Sequence, residues 1–279
     1  MALSAVAFGF MAIAAKQVTQ AVPAAQVALV RFAVMLLPLL FVPQVRRESL
    51  HWKRKDLLFY RGFFGGLAVL LYFIALEHLE VSTATLLNYS SPIWAVLFAA
   101  LFLSERVAPM ALLPASVALA GLFLVTEAYE KFNLSAWGVY ELGGLLSAVF
   151  SGAAVTAIRA ARKVEGSWAI YSSFSLFGLA VSLPLALQEW KWPGVMEWCW
   201  LLAVGASSIV AQLAMTFAYR WVTNLEAGLL AQMTVLLTLA SEVFWFGKSL
   251  SGIRLLGAFL VVSGIVGVVG LARSPRAME

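Results

Sequence analysis

The sequence predicts an all-α integral membrane protein, with ten transmembrane helices in two inverted five-helix repeats, and three observations predict it. Of 279 residues, 62% are hydrophobic and 12% charged, against roughly 45–50% and 25% in soluble domains. Apolar runs long enough to cross a hydrocarbon core of about 30 Å, at about 1.5 Å per residue, recur along the whole chain. The basic residues collect in the short stretches between those runs. A net charge of +5 distributed in this way forms no amphipathic basic face, so it reads as a topology signal and not as a nucleic-acid surface. Cys199 is the single cysteine, which excludes an intramolecular disulfide and a thiolate metal cage.

The first span, Ala2–Thr19, begins without a basic lead-in or a clearly placed cleavage site, and is expected to be a spanning helix and not a signal peptide. The second, Ala24–Val42, carries Arg31 near its start. After it comes the longest connection, Pro43–Asp56, whose Arg46, Arg47, Lys53, Arg54 and Lys55 place it in the cytoplasm. The third span, Leu57–Leu79, holds Gly62 and Gly66. The fourth is Ser82–Leu103 and the fifth Pro109–Glu127. The sixth, Ala136–Ala160, has Gly144, Ala148 and Gly152 at a spacing that lets helices approach closely. Between the seventh, Trp168–Leu187, and the eighth, Trp198–Trp221, a cluster of tryptophans reads as an interfacial aromatic belt. The ninth and tenth are Leu225–Phe246 and Ile253–Ala272.

With the long connection inside, twelve basic residues fall on the cytoplasmic side and only Lys16, Lys131, Lys191 and Lys248 on the other. Both termini are therefore expected in the cytoplasm, and the chain in the plasma membrane, the inner membrane of a bacterium. Arg31, Arg61 and Arg254 lie within about two turns of a helix end, where long side chains can snorkel to the headgroups. No charge is expected near the centre of a span.

Sliding the chain on itself by 143 residues sets Ser4-Ala5-Val6 on Ser147-Ala148-Val149, Gly9 on Gly152, Gly62 on Gly205 and Gly121 on Gly264, and aligns the span boundaries without gaps. This divides the chain into residues 1–127 and 128–279. Five helices per half is an odd number, so the second half enters the membrane in the opposite sense and the repeat is inverted.

Such a bundle is expected to hold a solute near the midplane, where the halves meet. In the fourth span Thr85, Asn88, Tyr89 and Pro92 share one face, and Pro92 deprives the Asn88 carbonyl of its usual partner. The face reads either as cavity lining or as a packed kink. The same shift brings Gln232 onto Tyr89. In the eighth span Ser208, Gln212, Thr216 and Tyr219 form a stripe. Its counterpart in the third span is Gly65, Val69, Phe73 and Leu76, with Tyr72 beside it. Trp94 either stacks on a ring of the solute or serves in packing. The candidate site is thus Tyr72, Thr85, Asn88, Tyr89, Trp94, Gln212, Thr216 and Gln232, a cleft with one polar and one apolar wall.

Nothing here points to catalysis. His51 and His78 are placed on opposite sides of the membrane, no His-Glu-x-x-His pattern occurs, and no nucleophile, base and orienter set is visible. No metal or cofactor is expected.

Several segments carry a family likeness: Arg31-Phe32, the Ala75-Leu76-Glu77-His78 to Ala84-Thr85-Leu86-Leu87 join, Pro92, Leu103-Ser104-Glu105-Arg106, Ala218-Tyr219 to Ala227-Gly228, and Phe246-Gly247-Lys248. In these the chain resembles the EamA-type ten-helix members of the drug/metabolite transporter superfamily over essentially its whole length. It departs from them at Lys248, where a glutamate is usual, and at Phe8-Gly9, where Trp-Gly is often found. The likeness implies export of small metabolites by alternating access, and the YddG-like group implies neutral amino acids, aromatic and hydrophobic ones among them. Efflux of lipophilic drugs by the same fold, and a scaffold or receptor role, remain as alternatives. Partners would be a small-molecule solute and the lipid bilayer. Without a charge in the membrane centre, uniport or exchange without an obligatory proton site is expected.

Overall fold

The computed structural model describes residues 1–79, 84, 87–104, 109–125, 138–246 and 251–272. Its helices, in chain order, are α1 (Ala2–Val18), α2 (Ala24–Phe41), α3 (Pro43–Leu50), α4 (Lys55–His78), α5 (Ser91–Leu103), α6 (Pro109–Val125), α7 (Val139–Ala161), α8 (Ser167–Gln188), α9 (Val195–Ala218), α10 (Asn224–Ala231), α11 (Met233–Phe246) and α12 (Gly252–Ala272). Among the described residues every regular element is a helix. Five of them, α2, α4, α7, α8 and α9, are long and apolar enough to cross a membrane, and five shorter apolar helices accompany them. Large apolar side chains such as Leu40, Phe41, Phe102, Leu113 and Phe259 are exposed on the outside of the bundle, as lipid-facing positions require.

The structure departs from the expected spans in three places. The connection Pro43–Asp56 contains a helix, α3, with Pro43 in its first turn, where a missing N–H costs nothing. Its Val45 and Ser49 are buried, and Ser49 binds α8 by donating to the Trp168 carbonyl (3.3 Å) and accepting from Ser172 (3.0 Å). The ninth span is not continuous either, since α10 stops at Ala231 and α11 begins at Met233. Around the break the Gln232 amide donates to the Leu229 carbonyl (3.0 Å) and the Val235 amide to the Gln232 carbonyl (2.9 Å). In the fourth span the same tight turns surround Ser90, from Ser90 to Leu87 (3.3 Å) and from Ile93 to Ser90 (3.0 Å). Pro92 consequently lies in the first turn of α5 and does not kink a continuous helix.

Two glutamates near helix ends act as caps. Glu226 accepts from the Thr223 amide (2.7 Å) while Thr223 accepts from the Glu226 amide (3.3 Å), closing a capping box on α10. Glu141 accepts from the Gly138 amide (2.8 Å) at the start of α7.

Helix packing follows a reciprocal pattern. α1 packs on α9 and α11, while α4 and α5 pack on α7; α2 packs on α9, while α8 packs on α4. α2 also packs on α8, α6 on α12 and α5 on α10. Glycines permit the closest crossings: a Cβ on Gly121 would stand 2.6 Å from the Gly257 carbonyl, and one on Gly257 2.7 Å from the Gly121 carbonyl.

Candidate functional site

A cavity of about 190 Å³ lies at the centre of the bundle. Phe8 and Met11 of α1, Arg31 of α2, Tyr72 and Phe73 of α4, and the Asn88–Pro92 turn line it from the first half. Ser151 of α7, Phe174 of α8, Gln212 of α9, Tyr219 just after that helix, and Asn224 and Gly228 of α10 line it from the second. It extends along the bundle to Met1.

Its dominant feature is a pair of buried cations. Arg31 is 2% exposed and Arg61 3%, so neither snorkels to an interface, and the expectation that the bundle centre holds no charge is overturned. Both reach the polar stripe of α9: Arg31 Nε donates to Ser208 Oγ (2.8 Å), and Arg61 Nη2 donates to Gln212 Oε1 (2.9 Å). Ser208 in turn donates to the Val204 carbonyl (2.6 Å). The two guanidinium groups flank one aromatic ring, with the Arg61 carbon 3.9 Å and the Arg31 carbon 5.7 Å from the Phe174 centroid. Phe32 and Phe73 also stand close to Arg31. Such π faces stabilise a desolvated cation, but neutral groups do not cancel it. Among the described residues no carboxylate forms an ion pair with either arginine.

Sequence reasoning missed this pair because proximity to a helix end was taken to mean access to headgroups. The available signal was Gly65, one turn beyond Arg61. A Cβ there would collide with Arg61 Nη1 and stand 2.9 Å from the Phe174 ring, so the glycine makes the room in which the guanidinium lies.

Of the residues singled out in the sequence, Tyr72, Asn88, Tyr89 and Gln212 are on the cavity wall. Asn88 also bridges the halves, donating from Nδ2 to Ser147 Oγ (3.0 Å), which donates to the Gly144 carbonyl (2.7 Å). Trp94 belongs to a helix crossing, since a Cβ on Gly152 of α7 would lie 2.6 Å from its Cβ. Thr216 and Gln232 are fully buried away from the described wall, and among the described residues none is a hydrogen-bond partner of the Thr216 hydroxyl or of either polar side-chain atom of Gln232. Thr85 lies outside the described residues. A further polar cluster had no sequence signal: Asn224 Nδ2 donates to the Ala95 carbonyl (3.1 Å) and to Thr156 Oγ1 (2.9 Å), tying α10 to α5 and α7 beside the cavity.

A family model described as the EamA-like transporter family matches residues 1–127 and 138–270. The pseudopaline exporter CntI of Pseudomonas aeruginosa is 32% identical over 220 residues, 78% of this chain and 76% of that protein. An uncharacterized transporter of Helicobacter pylori is 29% identical over 219 residues, 76% of this chain and 69% of its own length. Solute carrier family 35 member G1 of Homo sapiens is 22% identical over 222 residues, 75% of this chain and 61% of its own. A solved crystal structure superposes with a TM-score of 0.77 at 22% identity, covering 99% of this chain and 96% of the other; that likeness speaks for the fold alone.

Proposed function

We propose that this chain, which belongs to the EamA-like transporter family and is a multi-pass membrane protein, exports a small carboxylate-bearing metabolite of the amino-acid type by alternating access through the central cavity. One observation carries the reading: the cavity is lined from both parts of the chain and presents two buried guanidinium groups that no carboxylate among the described residues pairs with. An amino acid brings a carboxylate to those cations and a side chain to the aromatic and apolar remainder of the wall. Lipophilic drugs that carry a positive charge would meet repulsion there.

Alternating access needs two halves that can exchange conformations. The reciprocal helix pairings and the matching turns at Ser90 and Gln232 support reading residues 1–127 and 128–279 as inverted repeats of five helices each. We assign Tyr72, Asn88, Tyr89 and Gln212 to solute contact. Thr85, Trp94, Thr216 and Gln232 are assigned no contact in this conformation. With both termini in the cytoplasm of the inner membrane, as the basic residues argue, the direction is outward, in keeping with a relative that is named an exporter. Among the described residues no Asp, Glu or His lines the cavity, so the reading requires no proton site.

Export of pseudopaline itself is a second reading, favoured by the 32% identity to a pseudopaline exporter. Counterflow in proteoliposomes decides between them. Vesicles preloaded with an amino-acid panel or with pseudopaline are given the labelled counterpart outside. Accumulation of a labelled amino acid supports the main reading, accumulation of pseudopaline alone replaces it, and no accumulation of any carboxylate-bearing solute refutes both.

A further inference from the structure

We infer that the solute carries two carboxylates and a net negative charge, one carboxylate for each of Arg31 and Arg61; this deepens the proposed transport reading and rests on it. A guanidinium stays charged at any physiological pH and offers five N–H donors in a planar fork. Among the described residues Arg31 directs a single hydrogen bond, to Ser208, and Arg61 a single one, to Gln212. Both acceptors are neutral, and among the described residues none accepts from Arg61 Nε. Both side chains line the cavity, so Arg31 Nη1 and Nη2 and Arg61 Nη1, which bond to no described residue, are the donors it offers a solute.

The charge balance points the same way. A cation at this depth is costly unless an anion meets it, and two cations flanking one phenyl ring also repel each other. Tyr72, Asn88, Tyr89 and Gln212 supply only neutral polar atoms to the wall. A neutral amino acid would answer one guanidinium and bring an ammonium group toward the other. A dicarboxylate answers both, each by the paired N–H to oxygen geometry that makes arginine selective for planar oxyanions. Loading such a solute cancels the two charges together, which lowers the barrier to enclosing the site between the halves.

The decisive experiment uses the unaltered protein in proteoliposomes, loaded with labelled succinate, glutamate, leucine, phenylalanine or glycerol 3-phosphate, with each of the others as competitor. Succinate and glutamate should exchange, and each should displace leucine and phenylalanine far better than the reverse. Arg31→Gln and Arg61→Gln should each raise the concentration needed for half-maximal succinate exchange by about ten- to a hundredfold, and Arg61→Lys should recover part of that loss. Binding is read separately in detergent, where succinate should raise the thermal midpoint of the unaltered protein and not that of Arg61→Gln. Leucine or phenylalanine exchange with succinate and glutamate inert would overturn this inference and leave the transport reading intact. A preference for glycerol 3-phosphate would overturn the two-carboxylate assignment. Exchange of none of these solutes would refute the transport reading and this inference together.

Discussion

Gly65 lies one helical turn beyond Arg61, and the Arg61 guanidinium occupies the space that a side chain at position 65 would fill. The position of a buried charge is thus set by the absence of a methyl group on the same helix. Gly65→Ala should push Arg61 off the Phe174 ring and out of line with Gln212. Apparent affinity for the solute should fall about tenfold, equivalent to about 1.4 kcal/mol. Exchange rate against solute concentration measures this, and an unchanged curve would show that Arg61 accommodates the methyl group.

Gln212→Glu separates a structural role from a binding role. It replaces the neutral acceptor of Arg61 with a carboxylate of nearly equal shape. The protein should then be at least as stable to heat in detergent as the original, because the buried cation gains a partner. Solute exchange should collapse, because the guanidinium no longer needs an external anion. Retained exchange in a folded Gln212→Glu variant would take Arg61 out of the binding site.

Gly9 and Gly152, which a 143-residue shift superposes, should respond differently. A Cβ on Gly152 would come 2.8 Å from the Ala95 amide nitrogen, a backbone atom, whereas on Gly9 its nearest neighbour would be the Leu237 side chain, at 3.3 Å, with the Thr234 carbonyl at 3.9 Å. Gly152→Ala should therefore destabilise by about 1–3 kcal/mol, and Gly9→Ala should be nearly silent. Folded yield and thermal midpoint on size-exclusion-purified protein are the readouts; equal losses at both positions would contradict the geometry.

The side-chain amide of Gln232 is wholly buried and meets no hydrogen-bond partner among the described residues. Removing an unsatisfied buried polar group is stabilising by about 1–3 kcal/mol. Gln232→Leu should accordingly raise the thermal midpoint. A lower midpoint would reveal that the amide finds a partner in the folded protein.

Much of the architecture could be read from the chain alone. Apolar length marks helices such as α4 and α8 because the bilayer requires satisfied backbone groups and a lipid-compatible exterior. Small residues at turn-length spacing, Gly62 with Gly66 and Gly144 with Gly152, mark close crossings, since nothing larger fits. The polar faces of Asn88 and Tyr89 and of Ser208 and Gln212 were also legible, because a polar stripe in an apolar helix has to face protein or water. The break at Gln232 was not. No Pro or Gly stands at that position, and what divides α10 from α11 is a local pair of tight turns within otherwise helical sequence.

The arginines show where sequence alone stops. That Arg31 and Arg61 lie within two turns of a helix end is written in the chain, and from that spacing a side chain can either rise along lipid to the headgroups or turn inward. Only the packing of α2 and α4 against α8 and α9 decides between them, by bringing Phe174, Ser208 and Gln212 within reach and by leaving room at Gly65. Helical and membrane character follow from composition and length, which are properties of each segment by itself. The depth and partner of a charge depend on how helices are rotated against one another, and that relation exists only in the assembled bundle.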